Sequence, residues 1–255
     1  MAERAGRIWI GCAGWSIPRS HAHAFPRGAS VLERYARVFD AVEVNSTFYR
    51  TPRPGTCQRW ADSVPDGFRF SLKLPRAMTH YARLRDAEAA LDAFFASVAP
   101  LSRAVGAVLA QLPPTLALDE EVADAFFGAV RARVRRRVVV ACEPRHASWE
   151  SGAARALWRR HRVTRVAADP PRFVADAEPE GARPAYWRWH GSPRIYHDAY
   201  SDARLDALVR SLQQAGEGWA IFDNTAGGHA TADALRLRAR LEGLDVLSPP
   251  REAAA

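Results

Sequence analysis

Lysine is almost missing from this chain: of 36 Lys and Arg residues, all but Lys73 are arginine. Asparagine occurs only as Asn45 and Asn224, and cysteine only as Cys12, Cys57 and Cys142. Three cysteines, far apart and without a CxxC pair, exclude a disulfide framework and a local zinc motif, and they suit a reducing compartment. A small buried thiol is the favoured reading of Cys12 and Cys142 over a nucleophile. No apolar run reaches the ~18 residues of a membrane span, and the opening MAERAGRIWIG lacks the apolar core of a secretory leader. The expectation is a cytoplasmic protein with no membrane partner.

Acidic residues are outnumbered, 28 against 36, for a formal net charge of +8. That excess raises nucleic acid as a partner. The densest basic run, RARVRRR at 131–137, lies between a helix and a strand. Arg135, Arg136 and Arg137 precede the fifth strand and are expected at the strands' N-terminal end. Nucleic acid is therefore the alternative partner, and a small anionic ligand the favoured one.

Eight strand-like apolar runs are present: IWIGC, AVEVN, FSLKL, AVLAQL, VVVACE, RVAAD, YWRWH and WAIFDN. Helix-like segments alternate with most of them. In SVLERYARVF, Ser30 and Glu33 have capping-box spacing. Leu91, Phe94, Phe95 and Val98 repeat at helical spacing, as do Leu205, Leu208, Val209 and Leu212. The stretch PPRFVADAEPEGARP is too proline-rich for a helix, and the segment after AVEVN is short. The prediction is an α/β fold, one TIM-type (β/α)8 barrel over residues 1–255 with its core at about 7–245, slightly degenerate at units two and six.

Residues two apart on a strand share a face. Val42 and Val44 oppose Glu43 and Asn45; Phe70, Leu72 and Leu74 oppose Ser71 and Lys73; Trp187 and Trp189 oppose Tyr186, Arg188 and His190. Gln111, Glu143, Asp169 and Asn224 lie at or near the ends of four further strands. A lumen-facing polar set of Glu43, Asn45, Lys73, Gln111, Glu143, Asp169, Arg188, His190 and Asn224 is thus expected at the C-terminal mouth, where barrel enzymes place their chemistry. The single lysine and both asparagines fall within it.

The segments GCAGWS, VEVNSTFYRTP, FSLKLP with MTH, LAQLPP, CEPRHASW, RWHG and FDNTAGGHA follow one another in this order. Together they resemble the domain of unknown function 72 family, also called YecE-like, over about Arg7 to Leu241. The resemblance implies a TIM-type barrel and no particular activity. Its polar signature falls on Glu43, Asn45, Lys73, Thr79, His80, Gln111, Glu143, Arg145, His146, Arg188, His190 and Asn224. Pro144 stands where a bulky residue is expected, and Asp223 where a second asparagine is common.

These residues point to an acid–base enzyme that requires no metal, a hydrolase or lyase of a phosphorylated or sugar-like anion. Glu43 and Glu143 are the expected acid–base pair. Lys73, Arg145 and Arg188 form an anion clamp, with Lys73 either an imine-forming amine or an electrostatic group. Asn45, His80, Gln111, His146, Asp169, His190 and Asn224 complete the substrate contacts. One alternative is a divalent-metal phosphodiesterase acting on nucleic acid through Glu43, Glu143, Asp169 and His190; another is a non-catalytic ligand-binding module. Trp15, Phe48, Tyr49 and Trp149 are loop aromatics available for stacking, and 191–200 reads as a lid. His21 and His23 are expected to face solvent.

Overall fold

A computed structural model describes residues 7–173 and 178–243. Within them lies a 10-stranded sheet. Its strands are β1 (Ile8–Ala13), β2 (Ala41–Val44), β3 (Arg69–Lys73), β4 (Val105–Gln111), β5 (Val139–Glu143), β6 (Val163–Arg165), β7 (Ala167–Asp169), β8 (Glu180–Gly181), β9 (Ala185–Trp189) and β10 (Gly218–Phe222). Neighbours run β7-β9-β10-β1-β2-β3-β4-β5-β6-β8. The run read as RVAAD is split at Val166. Its lower half, β6, pairs with β5, and its upper half, β7, pairs with β9. One continuous piece of chain therefore joins the two ends of the parallel run, reaching β5 through β6 and β9 through β7, and the barrel is nearly closed. Counting β6 and β7 as one interrupted strand leaves eight parallel positions around the ring. The short β8 lies antiparallel against β6.

Helices α1 (Val31–Ala36), α3 (Pro54–Asp62), α4 (Glu88–Val98), α5 (Glu120–Arg133), α6 (Gly152–His161), α7 (Asp202–Ala215) and α8 (Ala230–Leu241) cover the outside, while the single turn α2 (Ser46–Tyr49) sits at the C-terminal ends of β2 and β3. At α1 the Ser30 Oγ accepts from the Glu33 amide, satisfying one orphan donor of the first turn, and the Glu33 carboxylate accepts from the amide of Ala29, the residue before the cap. The stripes on α4 and α7 bury Leu91, Phe94 and Val98, and Leu205, Leu208 and Leu212. Unit two is fuller than expected. Pro54 opens α3 at the first helical turn, where its missing N–H has no partner to lose, so the proline-rich TPRPG starts a helix. Unit six is degenerate as expected: among the described residues no helix separates β7 from β9.

Two apolar regions follow from strand alternation. Between strands and helices lies the main core, with Val42, Phe70, Leu72, Val140 and Trp187 among its members. Inside the barrel, Ala13, Ala41, Ala107, Leu109, Val139, Ala141, Val166, Tyr186, Trp219 and Ile221 fill the lower lumen. Small residues on several strands leave room for the large rings of Trp219 and Tyr186, which stack at 5.8 Å. A bulge beside Phe70 and Ser71 makes Gly106 the extra residue of β4, and a Cβ there would lie 2.6 Å from Trp219 Cζ2. This packed floor forces the polar residues upward, to the ends of the strands.

Candidate active site at the barrel mouth

Arg188 is the centre of the mouth. It follows Tyr186 on the inward face of β9, and its residue exposure is 0%. Nε donates to Glu43 Oε2 at 2.9 Å, and Nη2 donates to Glu43 Oε1 at 2.8 Å, a two-pronged pair with the end of β2. Nη1 donates to Glu143 Oε2 at 2.9 Å, and Nη2 also donates to Asp223 Oδ2 at 2.8 Å. Three carboxylates from β2, β5 and the residue after β10 thus meet one guanidinium. They hold Arg188 protonated, with its pKa above the usual arginine value although burial acts the other way. A guanidinium suits this place because its fixed fork serves several oxygens at once.

A further ring of partners fixes the carboxylates. Tyr186 lies 3.3 Å from Glu43 Oε2 and 2.8 Å from Ser71 Oγ. Arg145 Nε and Nη2 donate to Glu143 Oε1 at 2.8 and 2.6 Å, and Gln111 Nε2 donates to the same oxygen at 3.3 Å. Burial alone would raise the Glu143 pKa, but Arg145, His190 and Arg188 overcome it and hold this carboxyl well below the usual range. Asn45 Nδ2 reaches Asp223 Oδ1 at 3.3 Å. His190 lies between two acids, its Nδ1 at 3.0 Å from Asp223 Oδ2 and its Nε2 at 3.4 Å from Glu143 Oε1. Burial lowers the imidazole pKa, yet Glu143 and Asp223 raise it overall, favouring a protonated ring.

Lys73 differs from every other cation here. The residue is 7% exposed, yet among the described residues its Nζ has no hydrogen bond or ion pair. Its close neighbour is the Phe48 ring, 4.2 Å from Nζ to centroid. Thr47 seats that ring: its Oγ1 lies 2.6 Å from Val44 O and 2.7 Å from Lys73 O, tying α2 to the ends of β2 and β3. Burial, with Arg188 nearby, lowers the Lys73 pKa to about 8. His80 packs edge-on against Phe48 at 5.0 Å and hydrogen-bonds Thr79, so it belongs to the same rim. Exposed Tyr49 and Tyr81 flank Arg76 further out.

Three expected residues lie elsewhere. Asp169 pairs in register with the outward Trp189, and its carboxylate meets Arg204 of α7. The split of the strand leaves Ala168, beside Arg188, on the inward face. Asn224 also turns outward, donating to Asp233 Oδ2 at 2.7 Å and to Asp198 O at 3.0 Å. His146 serves its own turn, its Nδ1 accepting from the Ser148 amide. Asp223 is the residue that sequence reading passed over. Alternation from Trp219 through Ile221 reaches Asp223, one position before Asn224. Tyr186 and Tyr196 were also absent from the expected set. Tyr196, on the 191–200 loop, packs edge-on against His190 at 5.6 Å, and its carbonyl accepts from Ala226 and Gly227. That loop is thereby fastened across the mouth to the loop after β10.

The other loop aromatics divide. Trp149 is buried and stacked on Trp158, and Trp15 packs edge-on against Trp60. Burial pushes the Cys12 thiol up to about 12 and Cys142 well above its ordinary value, which removes both as thiolate nucleophiles. Among the described residues no three His, Cys, Asp or Glu side chains are placed to hold a metal ion. The oxygens that would form such a set converge on Arg188 instead.

A model of the family described as protein of unknown function DUF72 matches residues 9–254. The chain belongs to the DUF72 family. YecE of Escherichia coli K12 is 37% identical over 108 residues, which is 42% of this chain and 38% of YecE. YunF of Bacillus subtilis 168 is 29% identical over 116 residues, 42% of this chain and 40% of YunF. These alignments therefore span about two fifths of each curated relative. A DUF72 protein of Thermotoga maritima MSB8 superposes with a TM-score of 0.73 at 24% identity, covering 92% of this chain and 99% of that one. One from Enterococcus faecalis V583 gives 0.73 at 22%, covering 96% and 99%. At such identities the likeness carries the barrel fold. Among the described residues no helix is long and apolar enough to cross a membrane.

Proposed function

We propose that the mouth of this DUF72 barrel is the active site of a metal-independent lyase in which Lys73 forms an imine with the carbonyl of an anionic substrate. The observation that carries this reading is the state of Lys73: nearly buried, without a hydrogen bond or ion pair among the described residues, and with a pKa lowered to about 8. A lysine kept only for charge balance would sit against one of the carboxylates nearby. At pH 7 a pKa near 8 leaves about a tenth of the molecules with a neutral amine, against less than a thousandth for an ordinary lysine. Desolvation beside another cation is a recognised way to activate such an amine.

The division of labour differs from a pair of glutamates acting as acid and base. Arg188 bridges Glu43 and Glu143, so both carboxyls hold the guanidinium, and the ionised Glu143 has no proton to give. His190, with its raised pKa and Asp223 at 3.0 Å, is the proton donor in this reading. The neutral Lys73 amine adds to the carbonyl carbon, and the oxygen takes up a proton. A second proton, supplied by His190, lets it leave as water, and the imine nitrogen carries the positive charge if it keeps its remaining proton. That iminium accepts the electron pair of a breaking bond one carbon away, which is the step of a lyase. Arg145, on the Glu143 side, and the Arg76 rim supply cations for the substrate's anionic group.

The test is reductive trapping. Borohydride is added to the protein with a panel of keto acids and sugar phosphates, and the Lys73 peptide is weighed by mass spectrometry. At least one panel member is expected to leave a reduced adduct on Lys73 in the wild type and none in Lys73→Met. Saturable binding of a panel member lost in Lys73→Met but never trapped overturns the amine role and makes Lys73 an electrostatic anchor. Binding unaffected by Lys73→Arg removes Lys73 from the site altogether.

A further inference from the structure

The opposite end of the barrel holds a cavity of about 340 Å³, ringed by Arg69, Arg131, Arg136, Arg137, Arg162 and Arg183, with Trp9 and Trp219 at its base. It lies at the N-terminal ends of the strands, as Arg69 opens β3 and Val139 opens β5. Glu217 is the one carboxylate in its lining, and no ion pair joins it to the arginines among the described residues.

The six arginines fall into two groups. Arg131 donates to the carbonyls of His161, Val138 and Arg162, Arg69 to Phe68 O, and Arg183 to Ala215 O. These three serve the chain itself. Arg136, Arg137 and Arg162 are exposed, and their guanidiniums have no hydrogen bond or ion pair among the described residues. Elsewhere on the surface some arginines are paired, as in Arg85 with Asp119 and Arg240 with Asp206, and others, such as Arg50, Arg103 and Arg210, stand singly without a partner among the described residues. What distinguishes this cavity is that three unpaired guanidiniums line one concavity. Here like charges crowd together: burial and then the nearness of Arg7 and Arg137 depress the Arg69 pKa. A concave surface with unpaired guanidiniums and crowded cations lacks one component, an anion with several oxygens.

We propose that this cavity binds the phosphate groups of a small phosphorylated molecule. Phosphate oxygens accept from several guanidiniums at once, and Arg136, Arg137 and Arg162 have all their donors available. A nucleobase is not required: the Trp9 ring already has Trp219 stacked at 5.4 Å and the Arg7 guanidinium over it at 5.6 Å. The volume suits a compact polyanion better than an extended strand of nucleic acid. This site is separate from the mouth and does not depend on the role of Lys73.

The probe is inorganic tripolyphosphate, titrated calorimetrically into the full chain at low salt. Saturable one-site binding is expected, weakened about tenfold or more in the Arg136→Ala/Arg137→Ala double variant, since each lost charge-assisted contact is worth about that factor. Arg135→Ala, on the same run but outside the lining, is expected to change affinity by less than about twofold. Both altered positions are exposed and hold nothing in place, so the double variant stays folded. Absence of saturable binding, or equal weakening by Arg135→Ala, overturns the proposal. Loss of binding in Lys73→Met with none in the double variant places the phosphate at the mouth and also overturns it. A single-stranded oligonucleotide binding about tenfold tighter than tripolyphosphate at matched salt makes the occupant a nucleic-acid backbone, and the small-ligand assignment falls.

Discussion

At the mouth of the barrel Arg188 is fully buried and its nitrogens meet oxygens of Glu43, Glu143 and Asp223, whereas at the other end Arg136 and Arg137 stand exposed without a carboxylate. The same side chain thus does opposite work. In the lumen, water cannot screen or solvate the charge, so fixed partners must replace it. At the N-terminal end solvent supplies that service, and the charge stays free for a ligand. Pairing marks the arginine that builds the protein, and the clustering of unpaired guanidiniums around one cavity marks those available to a ligand. By the same criterion Lys73 is the exception within the mouth, buried like Arg188 yet unpaired like Arg137.

The sharpest way to break this comparison is to remove the paired cation. Arg188→Met leaves three carboxylates facing one another without their counter-ion, and breaking a buried ion network on one side costs ~3–5 kcal/mol. Denaturant unfolding at pH 7 is expected to show that loss. Lowering the pH should restore part of it. In the wild type, Glu143 and Asp223 have folded pKa values below their unfolded ones, so their contribution is present above about pH 4 and fades as pH falls through the folded values. In the variant the carboxylates take up protons more readily, so its deficit should shrink on acidification. A loss under about 0.5 kcal/mol would mean that the network is solvated and ordinary.

Lys73→Met comes next, with the opposite sign. The folded state disfavours the proton on Lys73, so between its folded pKa of about 8 and its ordinary 10.5 the unfolded chain binds more protons and wild-type stability rises with pH. Below pH 8 the buried ammonium is a standing cost, and replacing it with methionine is expected to stabilise the fold by up to ~3 kcal/mol. That gain should decline steadily above pH 8 in paired unfolding curves of the two proteins. A flat difference across that range would show that Lys73 is not desolvated.

The smallest effect belongs to the unpaired end. Arg136→Ala/Arg137→Ala should change stability by less than about 0.5 kcal/mol, while tripolyphosphate affinity falls as described above. A large loss of stability there would show that these arginines also hold the fold, and the contrast between the two ends would disappear.

Much of the mouth was legible because strand alternation has a period of two that no tertiary detail alters. Glu43, Lys73, Gln111, Glu143, Arg188 and His190 lie on inward faces, and apolar neighbours such as Val42, Leu72 and Trp187 on outward ones. The failures occurred where alternation was interrupted or counted from the wrong landmark. RVAAD divides at Val166 to serve two neighbours, and Asp169 then follows the outward Trp189. Asn224 is one position beyond the inward Asp223. The segment after AVEVN reads as short, yet it holds α3, because proline at the first helical turn costs nothing.

What the sequence determined by itself was local and periodic: eight apolar runs, their inward and outward faces, the Ser30 cap, and a single lysine at the end of β3. What only the tertiary structure decided was which inward charges meet. Glu43 and Arg188 are 145 residues apart in the chain, and Asn45 and Asp223 are 178 apart. Their contact depends on how far each strand is displaced along its neighbour as the sheet nearly closes, a quantity summed over every pairing in the ring. The same closure brought three carboxylates onto Arg188 and left Lys73 without one, because the guanidinium reaches the oxygens in the low-dielectric centre while the ammonium stops at the face of Phe48.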